Sequence, residues 1–139
     1  MKQDKFFITD TGLMSSFLGW RLDKVRLDSD LNGKLLETFV FTQLASLLEA
    51  QDTDHRLYHY RDREKRKIDF IIENAEGMLL GIEVKASATV TQAHFKHLNW
   101  FREHLKGQAP FIGIILYTGE HITPFGDNLW ALPISTLWI

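Results

Sequence analysis

Two carboxylates and an amine, Asp69, Glu83 and Lys85, fall in two strand-like runs, KIDFII and GIEVKAS, separated by the connection ENAEG. Side chains alternate across a strand, so Gly81, Glu83 and Lys85 share one face of the second run and Ile82 and Val84 the other. On the first run, Asp69 is opposite in kind to Ile68 and Phe70. A hairpin that closes near residues 73 to 77 brings Asp69 close to Glu83. Two carboxylates at that range repel and raise one another's pKa, unless a cation holds both ionised. Mg²⁺ or Mn²⁺ is the natural guest, because such ions prefer oxygen ligands. Lys85, one pleat further on, is then placed to touch a water or a phosphate oxygen and to offset developing negative charge.

A third carboxylate lies upstream. In GKLLETFVFTQLASLLEA the apolar residues recur at helical spacing, and Asn32 suits the N-cap. At about 100° per residue, Glu37 falls inside the stripe of Leu36, Val40, Phe41, Leu44 and Leu48, away from Thr38, Thr42 and Glu49 on the polar side. A core-facing carboxylate is costly unless it is paired or bound to metal. Glu37 therefore asks for a partner that the strand cluster can supply.

The elements that must position these groups follow in order. FFI reads as a strand or docking segment, and DTGLMSSFLG as a short helix with Asp10 near its N-cap and Gly19 past its end. After the long helix come LYHYRD, KIDFII and MLLGIEVK, read as an antiparallel meander. TQAHFKHLNWFREHLK reads as an amphipathic helix stopped by Gly107 and Pro110, and FIGIILYT as a strand covered on both faces. The tail NLWALPISTLWI adds a last edge strand. The expectation is one α/β domain over residues 1–139, a central mixed four-stranded sheet flanked by helices in the order α, β, β, β, α, β.

Composition narrows the chemistry. With 139 residues the chain can bury roughly two thirds of its unfolded surface. The 45% hydrophobic and 24% charged content and a net charge of −2 neither favour nor oppose a nucleic-acid partner. No cysteine is present, which excludes disulfides, thiolate zinc sites and cysteine nucleophiles. No run approaches the ~18 apolar residues of a membrane span, and the amino terminus lacks an apolar leader, so the expected location is the cytoplasm, away from membranes. The NGK tripeptide lacks the earlier glycine and following hydroxyl of a phosphate-binding loop, so the chain alone is not expected to bind ATP.

Other polar clusters carry weaker signals. Arg61, Arg63, Arg66 and Lys67 in RDREKRK can hold phosphates, although Asp62 and Glu64 interrupt the charge and a solvated turn fits equally. Gln92 can reach the site as an accessory group, and Ser87, Thr89, Thr91 and Gln92 equally suit a helix-capping loop. His94, His97 and His104 raise a zinc reading, against which His94 falls on the packing stripe with Leu98 and Phe101. The apolar tail fits pairing with another chain, a second copy included, or with a further module of the same protein, and a covered edge strand fits it equally.

An acid on one strand, Glu-x-Lys on the next and a preceding helix with an inward Glu resemble the PD-(D/E)xK (restriction-endonuclease-like) superfamily, whose common core has the same element order. More closely, FFITDTGLMSSFLG, GKLLETFVFTQL, YHYRDREKRKIDFIIE and GIEVKAS resemble the DUF4143 domain, the carboxy-terminal region of a widespread prokaryotic family of AAA+ ATPases. The resemblance implies that Glu37, Asp69 and Glu83 are metal-binding acids, that the Val84 main-chain carbonyl is a further ligand, and that Lys85 is the catalytic lysine. It also implies an ATPase module ahead of this region, and hence a fragment of a longer protein or a natural truncation. KIDF departs from the superfamily pattern in having no proline before the acid. Two functions follow as expectations: a Mg²⁺-dependent nuclease acting on DNA, or a silent nuclease-fold module for docking or regulating the ATPase or for binding nucleic acid.

Overall fold

The chain divides between Gln51 and Asp52 into two units, residues 1–51 and 52–139. The computed structural model describes residues 29–51 of the first and 54–138 of the second. The expected FFI segment and DTGLMSSFLG helix lie outside the described residues.

In the first unit, helix α1 spans Ser29–Glu49, so Asn32 lies within it rather than at its cap. Leu36, Phe39, Val40 and Leu44 are buried, and Glu37 is buried among them, on the side its spacing predicts. Thr42, expected on the polar side, is buried as well. Its hydroxyl donates to the Thr38 carbonyl at 3.0 Å, which removes the cost of enclosing an unpaired hydroxyl.

The second unit is a mixed sheet. Strands β1 (His55–Arg61), β2 (Lys67–Asn74) and β3 (Leu79–Lys85) form the expected antiparallel meander. A 3-10 turn, Gln92–Phe95, and helix α2, Lys96–Leu105, then cross over to β4 (Phe111–Tyr117), which lies parallel to β3. The single helix expected from residue 91 is thus two segments. Lys106 ends α2 in the left-handed conformation, φ 52°, with Gly107 following at φ 74°.

Six strands are described rather than four, in the order β1-β2-β3-β4-β6-β5. The tail strand β6 (Leu129–Pro133) is not the edge: it pairs parallel to β4, and the two-residue β5 (Thr123–Pro124) pairs with its outer side. A tight return through Gly126, φ 127°, places β5 there. The short apolar run LWALP is accordingly buried at Leu129, Ala131 and Pro133, as an interior strand requires.

Leu98 of α2, fully buried, packs with Phe95, Ile68, Ile71, Phe111, Ile115, Leu129 and Ala131 on one sheet face. Gly81 sits beneath it because there is no room for a side chain. A Cβ there would lie 2.8 Å from Phe111 Cζ and 2.9 Å from Leu98 Cδ2. The helix therefore rests close to β3 one pleat before Glu83.

Candidate active site

The β2–β3 turn fixes which residues meet. Asn74 Oδ1 accepts from the backbone N–H of Glu76 and Met78, and Gly77 adopts φ 85°, which closes the connection tightly. The resulting register pairs Ile71 with Gly81 and Phe70 with Ile82. One step further, Asp69 comes level with Glu83.

A bulge then re-aims Asp69. Between Tyr58 and Tyr60 β1 advances two residues, while β2 advances three, from Ile71 to Ile68. Asp69 and Phe70 together oppose His59, an arrangement that bends a strand and redirects its side chains. Ile68 and Phe70 were expected on one face. Instead Ile68 joins Ile71 in the cluster under α2, while Phe70 meets the His59 ring at 5.5 Å. His59 Nδ1 lies 2.6 Å from the Asp69 carbonyl oxygen, which only accepts, so this contact places a proton on Nδ1.

The Asp69 carboxylate is held at both oxygens. Oδ2 accepts the Val84 backbone N–H at 2.9 Å, and Oδ1 accepts from Lys67 Nζ at 2.9 Å. Val84, expected to contribute its carbonyl, is joined to the cluster through its N–H. Glu83 is 4% exposed, and its Oε2 is buried without a hydrogen-bond partner. Burial pushes the Glu83 carboxyl up to about 7, the Asp69 carboxylate adds to the rise, and Lys85 and Lys67 oppose it. Asp69, Lys67 and Lys85 are thus the charged side chains whose fields act on Glu83.

Lys85 stands on the Glu83 face of β3, half-buried and in register with Tyr117. Lys67, read from sequence only as part of a basic run, is the direct ion partner of Asp69. Its backbone lies against α2: His97 Nδ1 is 3.3 Å from the Lys67 N–H and 3.1 Å from its carbonyl oxygen, and accepts or donates according to tautomer. The signal for Lys67 was present, since it stands two residues from Asp69 on one strand, as Lys85 does from Glu83.

Glu37 belongs to the helical unit and is buried there. Arg66 is committed to structure: its guanidinium bonds Asp62 at 2.8 Å and Glu64 at 3.2 Å and covers the Trp100 ring at 3.8 Å. Arg61 and Arg63 are exposed at the same turn. Gln92 donates to the Phe125 carbonyl at 3.1 Å and so ties the 3-10 turn to the loop after β5. His94 does not pack as a helical stripe residue; its Nδ1 accepts the Thr91 N–H. With His97 on Lys67 and His104 stacked on Trp100 at 4.8 Å, the three histidines point to three separate tasks.

Among the described residues no group of three His, Asp or Glu side chains is placed to hold one ion. The donors available here are a carboxylate pair, and the unpartnered buried oxygen of Glu83 is the feature that fits a cation. Asp69 Oδ1 and Glu83 Oε2 are oxygen donors of the kind Mg²⁺ takes one or two of, with water completing its shell.

Residues 32–137 match the family model described as a domain of unknown function, DUF4143. The chain is also similar to the uncharacterized proteins Rv2008c of Mycobacterium tuberculosis and Mb2031c of Mycobacterium bovis, 32% identical to each over 139 residues. That alignment covers 98% of this chain and 29% of each relative, so the chain spans less than a third of their length.

Proposed function

The chain belongs to the DUF4143 family, and from that premise we propose that its sheet unit is a PD-(D/E)xK-type, divalent-metal-dependent phosphodiesterase acting on DNA. One observation carries the reading: a buried, unpartnered Glu83 oxygen beside the fixed carboxylate of Asp69, with Lys85 on the same face. A bound Mg²⁺ or Mn²⁺ supplies Lewis acidity toward phosphate and a water nucleophile at neutral pH. Asp69 and Glu83 would hold that cation, and the Val84 N–H fixes the Asp69 carboxylate in place. Lys85 orients the attacking water and offsets the charge that gathers on the phosphoryl oxygens. Arg61 and Arg63, exposed at the β1–β2 turn, would supply phosphate contacts. In the whole protein an AAA+ ATPase module is the proposed neighbour.

A second reading, a nuclease-fold module that docks or regulates the ATPase, draws on the neutralised basic turn, where Asp62 and Glu64 hold Arg66. Incubation with supercoiled, linear and single-stranded DNA and with RNA, in Mg²⁺ or Mn²⁺, separates the two. The nuclease reading expects cleavage that is lost in Glu83→Ala and Lys85→Ala. Intact substrates throughout, or equal cutting by the variants, favour the docking reading.

A further inference from the structure

The ammonium of Lys67 stands 2.9 Å from Asp69 Oδ1, an oxygen that the metal reading gives to a cation. Both cannot hold it in the same way at once. We propose that Lys67 is an exchangeable internal cation: it neutralises Asp69 in the metal-free chain and is displaced from Oδ1 when a divalent ion loads. The inference rests on the metal reading above and adds to it a residue that sets how tightly the ion binds.

The two ends of the ion pair differ in freedom. The Asp69 side chain is 4% exposed, its other oxygen is bound to the Val84 N–H, and its carbonyl is held by His59. The Lys67 side chain is 46% exposed and reaches in from solvent. Its backbone is fixed by β2 pairing and by His97, so the four-carbon stem is the part that can move. Displacement should come easily, because a solvent-accessible lysine pair contributes little stability. The buried Glu83 oxygen gives the incoming ion a second ligand that the Lys67–Asp69 pair leaves unsatisfied. Lys67 thus keeps a buried carboxylate compensated without sealing the site.

Binding of Mn²⁺ alone to the full chain, followed by electron paramagnetic resonance of the free ion, tests the exchange. Lys67→Met should bind Mn²⁺ about twofold to fivefold more tightly than wild type, the value expected when a competing pair of this kind is removed. Lys67→Arg, whose fork grips a carboxylate through two bonds, should bind more weakly. Lys65→Met, which removes a nearby exposed charge, should change affinity less than about twofold. Lys67→Gln repeats the test if Lys67→Met does not fold by circular dichroism. If wild type binds one Mn²⁺ and the Lys67 variants bind equally or more weakly, exchange is overturned while the metal site stands. If neither wild type nor Lys67→Met binds, both ideas are overturned.

Discussion

The Asp69 carboxylate accepts the Val84 backbone N–H at 2.9 Å, just past the last paired residues of β2 and β3, Phe70 and Ile82. A side chain there replaces a main-chain partner in the ladder. Asp69 is consequently part of the sheet as well as of the acidic pair, and its substitutions should separate the two roles. Asp69→Ala strands the Val84 N–H and should lose about 1–3 kcal/mol in urea unfolding. Asp69→Asn keeps an acceptor for that N–H and should lose less, while losing metal-dependent cleavage to the same extent.

Glu83 gives stability a pH dependence of predictable sign. Its carboxyl, ordinarily near 4.5, is raised to about 7 by burial and by Asp69. The folded chain therefore binds this proton more tightly than the unfolded chain. The Glu83 contribution is complete below about pH 4.5 and is lost as pH rises to about 7, a change on the order of 3 kcal/mol. Urea midpoints of wild type and Glu83→Gln, measured from pH 4 to pH 8, should diverge across that window, with wild type losing ground as pH rises. Saturating Mn²⁺ should restore wild type above pH 6, and cleavage should climb through pH 7 as Glu83 ionises.

How much of this was legible in the sequence depends on which structural element set each residue. The Asp69–Glu83 juxtaposition follows from period-two counting and a turn that must close at Asn74–Gly77, and both signals are local. The bulge is not local in that sense. Neither Gly nor Pro marks Asp69–Phe70, and the extra residue is visible only in how β2 registers against β1. For the same reason alternation alone puts Ile68 and Phe70 on one face, whereas the bulge separates them. Strand β5 is two residues long, Thr123–Pro124, too short for any periodicity, so β6 looked like an edge. Thr42 was placed by polarity, whereas its bond to the Thr38 carbonyl makes burial inexpensive.

The seat of α2 on β3 depends on Gly81. A methyl group there would collide with Phe111 and Leu98, both buried and closely surrounded. Gly81→Ala should destabilise the chain by about 1–3 kcal/mol, read as a lowered thermal midpoint, because neither neighbour has space to retreat. A stability loss below about 0.5 kcal/mol would mean that α2 adapts, and with it the backing of Glu83.

The basic turn should divide by function. Arg61→Ala and Arg63→Ala should each weaken DNA binding and lower the slope of log affinity against log salt by about one, with thermal midpoints unchanged. Arg66→Ala should instead lower the midpoint, since it removes the bonds to Asp62 and Glu64 and the Trp100 contact, the last alone about 0.5–1 kcal/mol. Its effect on the salt slope should be small.

Whether Asp69 and Glu83 ligate one divalent ion is read most directly from crystals soaked in Mn²⁺, through an anomalous difference map. A peak is expected about 2.1 Å from Glu83 Oε2 and from Asp69 Oδ1, with Lys67 Nζ withdrawn from that oxygen. Soaked crystals that show Mn²⁺ elsewhere, with Lys67 still on Asp69 and no peak between the two carboxylates, would contradict shared ligation.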